Sequence, residues 1–376
     1  MKTELSALEL YCLTKELQSL EGSKVDKVYQ PKKNELLFQL HKAGEGKQVL
    51  DICLPGVIFK TSKKHEVTET PPHFCVFLRK KLGNARVQSI EQHEFERILV
   101  VNLTTKNETY HLIVELFDKG NVILCNSEYN VLMAVYYKKW KERTVRPNIR
   151  YEFPTPLANP IKLTEEQFVE MFYSVEMSLV KFLAIKAGLG GTFSEEVVSV
   201  TGIDKSSSKL DEESLKRVYK AMKDLLEREI NAVVVYHNEH IESALPFLIQ
   251  AIKQSSYEHV GEFNKAVEMK QWQEINARQE TQKNSNYEKK LHKLQEMVNK
   301  QENMKEGFEK TIEENSYKGE LIYQNYQTVS KILEQLKKAR ETMSWQEIKA
   351  KLKEHPIIKK VDEKNNQIVL ELEEQK

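Results

Sequence analysis

The pattern of this chain predicts an α+β fold: an antiparallel β domain with helices at one end, followed by helical segments. Three observations carry the prediction. Short β-rich runs separated by turn residues continue through Tyr137. A proline-rich break follows at Pro147, Pro154, Pro156 and Pro160. From Thr164 onward the apolar residues recur at helical spacing and end in a long, polar, glycine-poor stretch. Runs of strands and then runs of helices imply segregated layers rather than alternating βα units.

Residues 4–21 read as an amphipathic helix, because Leu10, Leu13, Leu17 and Leu20 recur at three and four, with Leu5, Leu8 and Cys12 beside them. Short strands follow over Val25–Tyr29, Glu35–Leu40 and Gln48–Leu54, with Gly44-Glu-Gly46 as a hairpin turn between two of them. Pro71-Pro72 starts a helix through Lys81, since proline's fixed φ and missing N–H suit a first turn. Ala85–Glu91, Arg97–Leu103, Tyr110–Phe117, Asn121–Cys125 and Val131–Tyr137 read as further strands, and Lys119-Gly120-Asn121 as a tight turn.

After the proline-rich linker, helices are expected near Asp211–Val235 and Ser243–Lys253. Between Tyr257 and Ile312 the chain has no proline, and Tyr287, Leu291, Leu294, Val298, Phe308 and Ile312 keep heptad spacing. That reads as an imperfect coiled-coil arm, interrupted at Gly319. A second seam, Ile322, Tyr326, Val329, Leu333 and Leu336, follows. Ser344 caps a short helix with Glu347 at capping-box distance, and Ile357–Val361 and Gln367–Leu372 form a hairpin around Glu363-Lys-Asn-Asn366. The expected segments are therefore a β domain over 1–155, a helical domain over 160–255, an arm over 256–315 and a small module over 316–376.

Composition excludes little. With 376 residues, 57 basic and 56 acidic, the chain has room for two or three domains and is no polycation. Residues 1–150 hold 24 Lys and Arg against 18 Asp and Glu, a modest basic excess that can steer that part toward phosphate. Cys12, Cys53, Cys75 and Cys125 lie far apart in apolar contexts, which fits reduced core thiols and no structural zinc. No signal peptide or transmembrane run is evident, so no membrane partner is expected. Asn102-Leu-Thr104 and Asn107-Glu-Thr109 match glycosylation sequons without an accompanying export signal.

The most informative stretch is Leu183–Asp204. Apolar helix residues run into Gly188-Leu189-Gly190-Gly191, a second short helix begins, and Gly202 closes it. Glycines at such a joint permit positive φ and close backbone approach, and the amides of the second helix's first turn are free to meet phosphate. The spacing reads as a helix-hairpin-helix, a nucleic-acid backbone-binding element; an ordinary tight αα-hairpin is the plain alternative.

Catalytic signatures are scarce. There is no phosphate loop, dinucleotide fingerprint, nucleophile elbow or HExxH zinc motif, and His73 with Cys75 makes neither a metal site nor a triad. No cofactor or metal is expected. Glu9 borders the apolar face of the first helix, and Arg97 shares a strand face with Leu99, Val101 and Leu103, while Glu96 lies on the opposite face. Such charges at apolar margins are either paired internally, fixing the helix to the sheet, or directed at a ligand, where the guanidinium suits phosphate. Arg79, Lys80, Lys81 and Arg86 form one basic cluster. Lys138, Lys139, Lys141, Arg143, Arg146 and Arg150 form another, interleaved with Tyr136, Tyr137 and Trp140. Basic side chains with aromatic neighbours suit unpaired bases and backbone; a solvated strand exit is the alternative.

Taken in order, these pieces resemble the NFACT proteins, ribosome quality-control factors of the RqcH/NEMF type. The matching residues include Leu5-Ser-Ala-Leu-Glu-Leu10, Val25-Asp-Lys-Val-Tyr-Gln30 and Pro71-Pro-His-Phe-Cys-Val-Phe-Leu-Arg-Lys-Lys-Leu-Gly83. Phe95-Glu-Arg-Ile98, Leu112–Leu124, Tyr151-Glu-Phe-Pro154, the glycine joint and Lys318-Gly-Glu-Leu-Ile-Tyr323 also match. The resemblance implies an N-terminal domain similar in fold to formamidopyrimidine-DNA glycosylases, a helix-hairpin-helix domain, and a coiled-coil arm with a small middle module. It implies binding to the large ribosomal subunit holding a stalled peptidyl-tRNA, and recruitment of tRNA for template-free tailing of the nascent chain. The ribosome would perform the transfer, so the chain is expected to position RNA and not to be an enzyme, in a cytoplasmic, ribosome-associated setting.

By the same resemblance Arg97 matches the family's arginine at the site linked to tRNA engagement, while Glu9 and Glu96 stand where the family usually has aspartate. The family's C-terminal RNA-binding domain has no counterpart here, so an N-terminal portion is expected, with a separate C-terminal RNA-binding polypeptide as a further partner. The expected RNA-contacting residues are Glu9, Glu96, Arg97, Arg79, Lys80, Arg86, Lys138, Lys139 and Arg143, with Gly188, Gly190 and Gly191 at the phosphate-binding hairpin. Two other classes are consistent with parts of the pattern. One is a DNA-binding or DNA-repair protein related to the glycosylases, although Met1-Lys-Thr3 offers no amino-terminal proline nucleophile. The other is an adhesin, suggested only by the family's older fibronectin-binding name.

Overall fold

The computed structural model of the chain describes residues 4–63, 70–141, 143–353, 355–362, 365 and 367–373; at 279 and 282–286 only the helical backbone is described. The chain divides into two compact units, Met1–Arg278 and Gln279–Lys376.

The first unit opens with α1 (Ala7–Leu17), which Ser6 starts through a capping box with Glu9. The strands β1 (Lys24–Lys32), β2 (Glu35–Lys42), β3 (Gly46–Cys53) and β4 (Val57–Thr61) form a meander. Helix α2 (His73–Leu82), with Pro72 at its N-cap, leads back to β5 (Arg86–Gln92). A second meander follows: β6 (Ile98–Thr104), β7 (Thr109–Glu115), β8 (Asn121–Asn126) and β9 (Val131–Ala134). Together they make one nine-stranded antiparallel sheet in the order β4-β3-β2-β1-β5-β6-β7-β8-β9. The α+β expectation holds. Strand β4, a short apolar run after Pro55, was not anticipated. The two-stranded ribbon of β10 (Lys138–Lys139) and β11 (Thr144–Val145) likewise emerges from what reads as a strand exit.

Both faces of the sheet are covered near β6. Leu99, Val101 and Leu103 join the main core, whereas Ile98 joins a second cluster with Ile113, Ile123, Val131 and Tyr151. The alternation of a strand sends successive side chains to opposite faces, so an almost continuous apolar run is the expected signature of burial on both.

Beyond the linker, α3 (Glu165–Tyr173) and α4 (Leu179–Lys181) follow, and α4 continues as a π-helical turn over Phe182–Lys186. Then come α5 (Gly190–Thr201) and α6 (Glu212–Leu226). The helices expected over Asp211–Val235 and Ser243–Lys253 are corrected here. Helix α6 ends at Leu226, and β12 (Ala232–His237), β13 (His240–Leu245) and β14 (Ser256–Gly261) form a second antiparallel sheet in the order β13-β12-β14. The reason lies in Ala232-Val-Val-Val235: all four are buried, and β-branched side chains are stiff in a helix but pack well on a pleated surface. One continuous core reaches from Leu5 to Val267, so the segments expected as separate domains over 1–155 and 160–255 share it.

Helix α7 (Phe263–Gln324) starts later than expected and passes through Gly319 without a break. Its first two amides donate to Glu16 on α1, at 2.7 Å from Phe263 and 2.5 Å from Asn264. A carboxylate at a helix start satisfies orphan donors and complements the helix dipole.

In the second unit, α8 (Tyr326–Thr342), α9 (Trp345–Lys351) and the hairpin of β15 (Ile358–Asp362) and β16 (Gln367–Leu370) enclose a small core around Ile332, Ile358 and Val361. The expected capping box of Ser344 and Glu347 is present. The expected seam holds only in part: Leu336 packs on this core and Val329 is half-buried, whereas Ile322, Tyr326 and Leu333 are exposed and Ile332, outside the seam, is buried. The arm residues Tyr287, Leu291, Leu294, Val298, Phe308 and Ile312 are also exposed. The expected turn over Glu363–Asn366 falls largely outside the described residues.

Candidate nucleic-acid interface

The start of α1, the end of the β5–β6 connection and the start of α5 converge on one cleft of about 650 Å³. Its walls include Glu4, Ser6, Phe95, Glu96, Arg97, Gly188, Gly190 and Gly191. Gln92 braces the meeting point, donating from Nε2 to Ala7 O at 2.9 Å and Glu96 O at 2.8 Å. The sequence therefore brings Glu96, Arg97 and the glycine joint together across nearly a hundred residues of separation.

The joint has the backbone that glycine supplies. Gly188 and Gly190 have φ of +72° and +73°, where a side chain is strained. The π-helical turn closes with Leu189 N donating to Leu183 O at 3.1 Å, and the chain then re-enters a helix at Gly190. The amides of Gly190, Gly191 and Thr192 carry no hydrogen-bond acceptor among the described residues. They open the N-terminal, positive end of α5 toward the cleft. On the far side, buried Glu196 fixes α5 by accepting from Arg228 at 3.2 Å and from the Gln250 amide at 2.7 Å.

Arg97 faces the same space, and its Nη1 donates to Glu4 Oε2 at 2.7 Å. Glu96 turns its carboxylate to the Leu157 amide at 2.8 Å, holding the linker against the cleft. Glu9 does not join them. It is 3 % exposed, and its Oε2 accepts from Ser6 N at 2.7 Å and Ser6 Oγ at 2.8 Å. Glu9 lines an adjacent cavity of about 300 Å³, which shares Glu4, Leu5 and Thr192 with the cleft. The internal ion pair, one of two alternatives for Arg97, thus forms with Glu4, which lies ahead of α1, and not with Glu9 on the helix. Nothing in the sequence pattern marks Glu4.

The two basic clusters fare differently. Arg79 donates from Nε to Val28 O at 2.7 Å and packs on Tyr29; Lys80 is exposed. Arg86 is exposed and reaches Gly22 O at 3.2 Å. Lys139 is exposed, and Lys138 pairs with Asp118 at 2.6 Å. Arg143 departs from the exposed cluster expected of it. Its side chain is 9 % exposed, and Nη1 donates to buried Glu115 at 2.6 Å. It also stacks against Trp140 at 4.3 Å. A buried carboxylate demands a partner, and Arg143 supplies it. Burial, and then the Glu115 charge, push the Tyr151 hydroxyl far above the ordinary tyrosine range, so it stays protonated and donates to Glu115 at 2.8 Å.

Beside the cleft, His93 stacks on Phe153 at 3.7 Å, and burial lowers its pKa. Among the described residues no group of three or more His, Cys, Asp or Glu is placed to hold a metal, and no helix is long and apolar enough to cross a membrane.

The cleft thus gathers the Arg97 guanidinium, the carboxylates of Glu4 and Glu96 and the helix-start amides of the glycine joint in a mixed fold built on an antiparallel sheet. The chain belongs to the NFACT family: the model of NFACT N-terminal and middle domains matches residues 6–369. It is 29 % identical over 394 residues to the archaeal Rqc2 homolog aRqcH of Methanocaldococcus jannaschii, an alignment covering 99 % of this chain and 58 % of that protein. It is 25 % identical over 391 residues to the human ribosome quality control complex subunit NEMF, covering 94 % of this chain and 36 % of NEMF. The chain thus spans 58 % and 36 % of these relatives' lengths. In fold it is similar to the N-terminal part of the fibronectin/fibrinogen-binding protein from Streptococcus suis, with a TM-score of 0.59 and 21 % identity over 71 % of this chain and 98 % of that one. At that identity the likeness shows the fold alone.

Proposed function

We propose that this chain is the RNA-engaging part of a cytoplasmic, ribosome-associated quality-control factor. It binds the large ribosomal subunit carrying a stalled peptidyl-tRNA and recruits a further tRNA for template-free extension of the nascent chain. It acts by positioning; the ribosome performs peptidyl transfer. The single observation that supports this reading best is the meeting of Arg97 and Glu96 with the Gly188–Gly191 joint in one cleft. A guanidinium and free helix-start amides lining one cleft suit successive oxygens of an RNA backbone. We read the joint as a helix-hairpin-helix, and the exposed Lys80, Arg86 and Lys139 as sources of the salt-dependent, non-specific part of the affinity. The names of the curated relatives, which speak of ribosome quality control, agree with this role.

Sedimentation with purified large subunits, with and without stalled peptidyl-tRNA, tests the proposal. The chain should travel with the peptidyl-tRNA-bearing subunits at low salt and bring a further tRNA, identified by sequencing. Arg97→Gln should lower the tRNA recovered while leaving the fold intact. Equal recovery by the variant would remove Arg97 from the contact; no association with subunits would sink the proposal.

A further inference from the structure

We propose that Glu4 is a built-in competitor of the anion that Arg97 receives, so that the cleft is latched in the free protein and RNA phosphate enters by displacing one carboxylate. This rests on the reading that Arg97 contacts RNA phosphate.

Two observations and one point of ligand chemistry carry it. First, the pair faces the ligand space. Glu4 Oε2 lies 2.7 Å from Arg97 Nη1, with the side chains 39 % and 34 % exposed, and both line the cleft. The Arg143–Glu115 pair, at 9 % and 3 %, shows what an internal pair looks like in the same chain. Second, the two anions compete for one donor set. A carboxylate and a phosphate both engage guanidinium N–H groups edge-on, so one displaces the other. Third, the backbone of Glu4 is seated closely. Leu5 N donates to Gly56 O at 2.8 Å, and a Cβ on Gly56 would stand 2.7 Å from Glu4 Cα. Glycine at position 56 is what lets Glu4 approach, and Ser6 begins α1 two residues later.

The device lowers apparent affinity by the latched fraction. A lone phosphate gains little by opening it. A ligand that also engages the Gly190 and Gly191 amides gains more contacts for the same displacement. The latch thereby favours an extended backbone over a single anion.

Binding of unfractionated tRNA to the full chain tests this with four variants: Glu4→Gln, Glu4→Asp, Arg97→Gln and the double variant Glu4→Gln with Arg97→Gln. Glu4→Gln should tighten binding about fivefold, equivalent to ~1 kcal/mol. Glu4→Asp keeps the charge but shortens the reach by one methylene, so it should also tighten binding, by less. The gain from Glu4→Gln should vanish when Arg97 is replaced. Equal binding by wild type and both Glu4 variants would overturn the latch, as would a gain that persists without Arg97. If Arg97→Gln weakens binding in those cases, the proposed site survives. If Arg97→Gln has no effect, the site and the latch fall together.

Discussion

The side-chain amide of Asn264 pairs with both backbone groups of Lys60, accepting from its N–H at 2.7 Å and donating to its carbonyl at 2.8 Å. Lys60 lies on β4, one of the two edge strands of the nine-stranded sheet. Nine residues further along α7, Gln273 does the same at the edge strand β13, with 2.8 Å and 3.2 Å to Ile241. Two carboxamides on one helix thus each satisfy the backbone groups of one residue on the edge of a different sheet, groups that otherwise invite another strand.

Replacing Asn264 with leucine removes two hydrogen bonds and leaves the Lys60 N–H and C=O facing an apolar side chain. The expected loss is ~2–4 kcal/mol in urea denaturation. Gln273→Leu should cost less, ~1–2 kcal/mol, because Gln273 is only half-buried. A stability change near zero for Asn264→Leu would show that the edge contact is incidental.

Arg97 and Arg143 should separate function from stability. Arg143→Gln removes the cation paired with buried Glu115, which keeps the Tyr151 hydroxyl as a donor, and should cost ~3–5 kcal/mol. Arg97→Gln opens a half-exposed pair and should cost under ~1 kcal/mol. Thermal melts of the two variants decide the matter; equal destabilisation would mean that the Arg97 pair is also structural.

Gly120 and Gly202 have nearly the same positive φ, +67° and +69°, but different surroundings. A Cβ at Gly120 would stand 2.7 Å from Pro55 Cα, whereas nothing lies within 4 Å at Gly202. Gly202→Ala should therefore cost ~1 kcal/mol from backbone strain alone. Gly120→Ala should cost clearly more in the same denaturation assay, because backbone atoms must also move.

Burial lowers the pKa of both His93 and His111 below the ordinary 6.5. A depressed folded-state pKa means that the unfolded chain binds protons more readily, so stability is complete above about 6.5 and falls as pH drops through and below that value. Melting temperature should decline from pH 7.5 toward pH 5.5. His93→Phe keeps the stack on Phe153 and removes a proton site, so it should flatten that decline. An unchanged slope would exclude His93 as a contributor.

Burial pushes the thiols of Cys12 and Cys125 up to about 12. Both should resist iodoacetamide at pH 8 in the native chain and react once it is unfolded, since only the thiolate attacks. Mass spectrometry of the two digests gives the comparison. Native labelling at either position would contradict its burial.

Turn chemistry and strand alternation made eight of the nine strands of the large sheet legible: every expected strand from Val25 to Tyr137 lies within two or three residues of an observed one, and β4 was missed. The second sheet was not, because Val233-Val-Val235 is a short continuous apolar run that periodicity alone does not assign to helix or strand. At the site, the glycine joint announced itself by composition, and Arg97 by its place on an apolar strand face. Its partner Glu4 carried no signal, since a single acid ahead of a capping serine is ordinary. Arg143 looked like a surface cation because sequence spacing does not reveal that Glu115, 28 residues away, is buried beside it.

The carboxylate of Glu16 at the start of α7 bears on how a smaller, crystallisable piece of this chain should be cut. Ending the polypeptide at residue 255 or 262, where a domain border reads naturally, deletes the amides that Glu16 receives and bares the margins of β4 and β13. Such a fragment should be sticky in solution, whereas one carried through Arg278 keeps both margins sealed.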